Sequence, residues 1–240
     1  CSRDWSSDVC SSDLQADTTF AGTDLSFAGT VTGAHVLTVG QTGTPTASAT
    51  FQDDVSVNRL IVTAQVGDFA LLGNTTISAT NPTTFSNTGV LTLGGDSTDT
   101  ISFGGNVTAT APSRVELGGT VSVPKSPSRS LTLGNVSLLA DTTLSGATGS
   151  FTTMSGNGFA LTLDFGGTYT FGTLSGSLSQ LASLGGGSVW IMRSASGNGR
   201  PDTSKGTRPA KSSKSTTPRL YTSARTSTRS ASPAACSGLM

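Results

Sequence analysis

Three short themes recur along the chain, and their recurrence constrains the fold more than any other feature. The first is Leu-Thr-apolar, in Leu37-Thr-Val-Gly40, Leu91-Thr-Leu-Gly94, Leu131-Thr-Leu-Gly134 and Leu161-Thr-Leu-Asp164. The second is polar-Thr-Thr-apolar, in Asp17-Thr-Thr-Phe20, Asn74-Thr-Thr-Ile77 and Asp141-Thr-Thr-Leu144. The third is apolar-x-Gly-x-Val, in Phe27-Ala-Gly-Thr-Val31, Phe103-Gly-Gly-Asn-Val107 and Leu117-Gly-Gly-Thr-Val121. Within each, apolar residues alternate with Thr, Ser or Gly, the period of a strand with one face inward and one outward. Gly-Gly, Gly-Asn and Asp-Thr pairs then bend the chain. Strand-like runs of roughly four to seven residues follow one another about every 8–12 residues, with no helical window between them.

Such spacing suits a β-sandwich, a barrel or a solenoid. Three features favour the solenoid. The themes keep the same local order at irregular intervals, the inward residues are medium-sized aliphatics with scattered Phe, and each run is too short to bury much without neighbours above and below. The expected fold is all-β, a parallel β-helix (β-solenoid) over residues 15–187. At roughly 20 residues per rung it has about eight or nine rungs. A compact sandwich would instead place the same runs in antiparallel hairpins. Pro45, Pro82, Pro112, Pro124 and Pro127 fall between runs, as corners should. Lys125-Ser-Pro-Ser-Arg129 reads as an exposed loop between two rungs. Phe20, Phe27, Phe51, Phe69, Phe85, Phe103, Phe151, Phe159, Phe165 and Phe171 could form a sugar platform. Their register with Val and Leu points to stacking in the core.

Composition narrows the function. Only 12 % of residues are charged and 6 % aromatic, with 30 Gly, a mixture suited to half-buried strands and tight turns. The zero net charge is a sum of opposites. From Arg193 onward there are nine Lys/Arg and one acid, +8; before it there are five and thirteen, −8. An acidic body argues against a nucleic-acid partner, which needs a basic footprint. Cysteine occurs only at Cys1, Cys10 and Cys236, so the body has neither a disulfide framework nor a thiolate metal site. No apolar run of about 18 residues predicts a transmembrane helix. The chain opens without Met or a signal peptide and reads as starting inside a longer protein, so missing targeting signals say nothing of the parent.

Each candidate for chemistry has a plainer structural reading. His35 is the single histidine and cannot make a zinc site alone; beside Val36 it reads as a strand-edge residue. No Gly-x-Ser-x-Gly elbow and no phosphate loop occurs, and Gly185-Gly-Gly187 lacks the Lys and helix of the latter. Asp53-Asp54 superficially resembles the paired acids of polygalacturonase-like enzymes, since glycosidases use two carboxylates. Those enzymes also carry further acids, a glycine-flanked histidine and a basic pair, none of which follows here, so the pair reads as a rung corner. Gly94-Gly-Asp-Ser-Thr-Asp99 resembles one turn of a calcium-binding repeat, but such rolls repeat the unit several times. Asp99 more plausibly caps a turn. Asn74, Asn106 and Asn135 begin glycosylation sequons, which Thr-rich sequence generates by chance. The expectation is no catalytic, cofactor or metal residue, and no enzyme.

The two ends are different material. Asp4-Trp-Ser-Ser-Asp-Val-Cys-Ser-Ser-Asp-Leu14 resembles translated sequencing-adapter DNA, so residues 1–14 are expected to be an unstructured artefact. A polar loop with a Cys1–Cys10 bridge is the competing reading. Residues 188–240 form a Ser/Thr/Arg/Pro-rich tail without apolar periodicity, either a disordered basic extension or an out-of-frame translation.

Leu-Thr-Leu, Ala140-Asp-Thr-Thr-Leu144 and Phe103-Gly-Gly-Asn-Val107 resemble the repeats of large bacterial β-strand-repeat exoproteins, similar to filamentous-haemagglutinin-type adhesins and autotransporter passenger domains. The likeness covers about residues 16–187 and is one of style, because the motifs are loose. It implies a right-handed parallel β-helix, a secreted or cell-surface location, and a structural or adhesive role toward glycans or proteins of neighbouring or host cells. A polysaccharide-active enzyme on a β-helix and a compact β-sandwich binding module are the alternatives. Solenoids lacking polar caps expose ladder ends, so end-to-end self-association is expected.

Overall fold

The computed structural model describes residues 12–185 and the backbone of residues 189–191. They belong to one compact unit, Cys1–Pro201; the second unit, Asp202–Met240, lies outside them. The described residues form an all-β solenoid of about 9 turns, built from parallel strands without a helix. The sandwich alternative, which needs antiparallel hairpins, is thereby corrected. Every strand pairing among the described residues is parallel, with partners one turn apart, so each strand lies over its neighbour in the same direction instead of folding back along it.

Parallel neighbours must be joined by a crossover of a dozen or more residues. Here the crossover is the rest of the turn. Thr142 pairs with Leu161, 161 − 142 = 19 positions on, and Thr75 with Ile101, 101 − 75 = 26. Each full turn visits three faces. The first face stacks residues 12–13, 31–33, 55–57, 75–77, 101–103, 120–122, 142–146, 160–165 and 180–183. The second stacks 18–20, 37–39, 60–62, 83–85, 107–109, 131–133, 148–151, 169–171 and 189–191. The third stacks 24–27, 48–51, 68–71, 91–93, 115–117, 136–138, 153–155 and 173–175. Some strands bend through corners without a break: Ser130–Gly146 serves all three faces in 17 residues. Runs of four to seven residues therefore understate it.

The inward positions form largely apolar ladders, interrupted by buried Thr75, Thr83 and Thr142. On the third face Phe27, Phe51, Leu71, Leu93, Leu117 and Leu138 lie one above the next in register, all buried. Rings gather in two groups. Phe27 stacks on Phe51 at 4.5 Å, tilted contacts run on through Phe69 to Phe85 at 5.8–6.0 Å, and Phe85 meets Phe103 edge-on at 6.0 Å. Farther along, Phe151 stacks on Phe171 at 5.1 Å and meets Phe165 edge-on at 6.1 Å. Nine of the ten Phe are buried, and Phe159 packs against the core half-buried. Their role is the stacked one. Gly149 makes room for the second group: a Cβ there would lie 2.8 Å from Phe165 Cζ and 3.0 Å from Phe151 Cε2.

Two boundaries differ from expectation. Ser12–Asp13 already pairs with Val31 and Thr32, and Leu14 is buried in the core. The ordered stack thus includes Ser12, rather than starting at Gln15, because these residues match the register of the next turn. At the other end, Val189–Ile191 pairs with 169–171, beyond the boundary drawn at residue 187. The expectations for residues 1–11 and for the tail from Met192 onward lie outside the described residues. The loop around Lys125 is also corrected. It joins the first-face end of Arg114–Ser122 to the second-face start of Ser130–Gly146, so it is a corner within one turn and not a link between turns.

Candidate functional surface

The corners are where the backbone ladder is interrupted, and side-chain carbonyls take over there. Asp17 Oδ1 accepts from the Val36 amide at 2.9 Å, Asp54 Oδ1 from Asn74 at 2.9 Å and Asn74 Oδ1 from Thr100 at 3.0 Å. Asp68 does the same for Val90 at 2.7 Å, Asn106 for Ser130 at 3.0 Å and Asp141 for Ala160 at 2.8 Å. In each case donor and acceptor occupy equivalent positions one turn apart, at the point where the chain enters a new face. All three polar-Thr-Thr motifs supply such a staple from their first residue. The short Asx side chain, suited to bonding nearby backbone, explains why only Asp and Asn hold these six places.

This places the sequence candidates. Asp54 is a staple, and Asp53 Oδ1 accepts from the Asp54 amide at 2.8 Å while its Oδ2 accepts from the Thr30 hydroxyl at 3.3 Å. The pair sits at a corner with its carboxylates turned to corner hydrogen bonds. His35 lies half-buried in Val31–Val39 at a register irregularity, with Nδ1 3.7 Å from Asp17 Oδ1. In the 94–99 loop Asp99 Oδ2 accepts from the amides of Gly95 and Asp96 at 2.6 and 3.1 Å. Asp96 Oδ1 accepts from the amide and the hydroxyl of Thr98, both at 2.7 Å. Those two Thr98 bonds, the hydroxyl first, hold the exposed Asp96 carboxyl below its ordinary 3.8. The loop's carboxylates therefore serve its own turn. Gly119, at φ +69°, passes so close to the Asp99 carbonyl that a side chain would collide with it. Among the described residues no group of three His, Cys, Asp or Glu side chains could hold a metal ion.

The outward positions carry the arrangement that sequence reading missed. On the first face one row runs Thr32, Ser56, Thr76, Ser102, Ser122 and Ser145 over six consecutive turns. A second row, two residues earlier along each strand, runs Thr100, Thr120, Thr143 and Thr162 over four. All ten side chains are exposed or half-exposed. Among the described residues only Ser122 has a protein hydrogen-bond partner, the Ile101 carbonyl at 3.5 Å. The signal was present as Thr30-Val-Thr32, Thr100-Ile-Ser102, Thr120-Val-Ser122 and Thr143-Leu-Ser145, but it aligns only once the phase of each turn is known.

Two features interrupt the smooth exterior. On the third face Ala70 sits between Thr50 and Thr92 in register, leaving a shallow depression bordered by Asp68, Arg114 and Glu116. Arg114 bonds Glu116 at 2.6 Å. Beside the first face, Lys125 reaches across one turn to Asp164 at 2.6 Å and anchors its loop. Both pairs are partly exposed, and such pairs are worth at most about 1 kcal/mol.

These features define a class: a three-sided parallel β-solenoid with stapled corners and hydroxyl-lined outer faces. Comparison of the chain with protein-family models, with curated proteins and with solved structures gives no match. No helix among the described residues is long and apolar enough to cross a membrane, which says nothing of a β-barrel.

Proposed function

We propose that the chain is a structural and adhesive segment of a large secreted or cell-surface bacterial protein, working without catalysis. The observation that carries this reading is the division of labour along the stack. The inward positions stay buried on every turn, whereas the corners differ in length and chemistry, from direct bends inside Ser130–Gly146 to the projecting loops at 94–99 and 124–129. A regular rod that spaces variable loops is suited to display. The exposed loops at 94–99 and 124–129 are where glycans or proteins of a neighbouring cell would be met. An acidic body disfavours nucleic acid as partner.

The depression beside Asp68, Arg114 and Glu116 supports a second reading, a polysaccharide-active enzyme. It weighs less, because Glu116 is paired with Arg114 and Asp68 Oδ1 caps Val90. One experiment separates the two. The chain is immobilised and presented with bacterial and epithelial cells and with a glycan panel, while the supernatant is assayed for new reducing ends. Retention of cells or glycans that falls when the 124–129 loop is replaced by Gly-Ser supports adhesion. Release of reducing ends that is lost in Glu116→Gln supports the enzyme. Neither retention nor release, with the fold intact by circular dichroism, refutes both.

A further inference from the structure

We propose that the first face binds the surface of ice through its two hydroxyl rows. The argument is one of two-dimensional repeat. Neighbouring strands in a sheet lie about 4.7–4.9 Å apart, and side chains on one face of a strand recur every two residues, about 6.6–6.8 Å. The rows Thr32 to Ser145 and Thr100 to Thr162 therefore set ten hydroxyls on a grid with those two spacings. The grid holds its dimensions because the residues between the rows, Ile101, Val121, Leu144 and Leu163, are clamped in the core at 0–1 % exposure. Waters bonded to such a grid take up its period, since each bridges a fixed donor or acceptor. Hexagonal ice repeats along its basal axes at nearly the spacing between turns. A surface that holds water at that period presents the crystal with a layer it can join.

The chemistry of the face selects this occupant over others. The ten positions carry no charge, and the rows pass into carboxylates only beyond them, as at Asp54 and Asp164, so neither a charged lipid surface nor a polyion is matched along the grid. They carry no ring, and the aromatic faces on which sugars stack are turned into the core, as with Phe103 and Phe165. Nine of the ten hydroxyls have no protein partner among the described residues and are free to bond water. The Thr members of the second row add methyl groups beside the hydroxyls, which limits competing water geometries at those sites. This goes beyond the adhesive role, which rests on the corner loops, and the two stand or fall separately.

The test is partition of the full chain into slowly growing ice, read as its concentration in the ice relative to the remaining liquid. Wild type is expected to concentrate in the ice while an unrelated protein of similar size is excluded. Thr120→Tyr, at the centre of the grid, is expected to lower the partition at least about tenfold, the change that ~1.4 kcal/mol produces. Thr132→Tyr, the same substitution on the outward row of the second face, is expected to leave it unchanged. Thr120→Val keeps the shape and removes only the hydroxyl. It is expected to fold and to partition less than wild type, so the test survives if the tyrosine variant does not fold. Exclusion of wild type from ice overturns the proposal, as does equal loss in Thr132→Tyr or full retention in both Thr120 variants. Adsorption to powdered cellulose or chitin with exclusion from ice would reassign the face to a crystalline polysaccharide and equally overturn it.

Discussion

Replacing Asn74 by alanine isolates the contribution of one corner staple. Asn74 is the middle link of a chain spanning three turns. Its backbone amide donates to Asp54 Oδ1 at 2.9 Å, and its own Oδ1 accepts from the Thr100 amide at 3.0 Å. Alanine keeps the first bond, which uses the backbone, and removes the second. A neutral hydrogen bond contributes about 1 kcal/mol net, and an amide left unpaired costs about 1–3 kcal/mol if water cannot reach it. Asn74 and Thr100 are both exposed, so water can replace the lost acceptor and the lower figure applies. With a urea slope of roughly 2 kcal/mol/M, the midpoint should fall by about 0.5 M. Because each turn contacts mainly its neighbours, the damage should be local. Hydrogen exchange at the Thr100 amide should speed by about fivefold, the factor for about 1 kcal/mol, while the Val36 amide, stapled elsewhere by Asp17, keeps its rate. Asn74→Asp restores an acceptor, as Asp141 shows at an equivalent corner, and should recover the Thr100 protection. Unchanged Thr100 exchange in Asn74→Ala, or failure of aspartate to restore it, would refute the staple as a source of stability.

Three further outcomes follow from the packing. Phe51→Ala removes a ring that is 1 % exposed and stacked on Phe27. It should destabilise the solenoid by about 3–5 kcal/mol in urea titration, the range for buried Phe; a loss under about 1 kcal/mol would mean the aromatic column is not a stabilising core. Gly149→Ala pushes a methyl group toward Phe165 and Phe151 and should cost about 1–3 kcal/mol by overpacking, although alanine is the better strand residue of the two. An unchanged midpoint would show that the rings can shift aside. Asp96 should act as a local acid switch. Its folded carboxyl titrates below the ordinary value, so its bonds to Thr98 are complete above about pH 3.9 and are lost as pH falls through the lower folded value. Thr98 amide exchange, corrected for the intrinsic pH effect, should then rise in acid, and in Asp96→Asn that rise should disappear.

The repeats reported strand style and missed the phase of the turn. Leu-Thr-apolar lies on the second face at Leu37 and Leu131, on the third at Leu91 and on the first at Leu161. Alternation is a property of any half-buried strand, so it announces the strand but not its place in the triangle. The corners vary in length by the residues that absorb them, and so the motif intervals are irregular while the register beneath is strict. The number of turns was legible, because it depends only on chain length and mean perimeter. The staple role of Asp17, Asn74 and Asp141 was half legible: the motif stood out, but its partner is 19 or 26 residues away, and only register reveals it. The hydroxyl grid was hidden for the same reason. A Thr-x-Ser pair is unremarkable alone and becomes an array only when four turns are laid over one another.

The same strict register has a mechanical meaning. A turn held to the next by one ladder on each face, and pulled from its ends, opens by peeling, with its hydrogen bonds loaded in succession. Each turn that opens frees 18 to 26 residues, as between Leu131 and Gly149 or Thr75 and Ile101. At 3.3–3.6 Å per residue, that is roughly 60–90 Å of slack from a step of about 5 Å in the stack. Under tension such a chain lengthens in discrete instalments and dissipates work at each one. The turns not yet opened keep their outer faces intact, so the segment can yield to a pull without surrendering its whole surface.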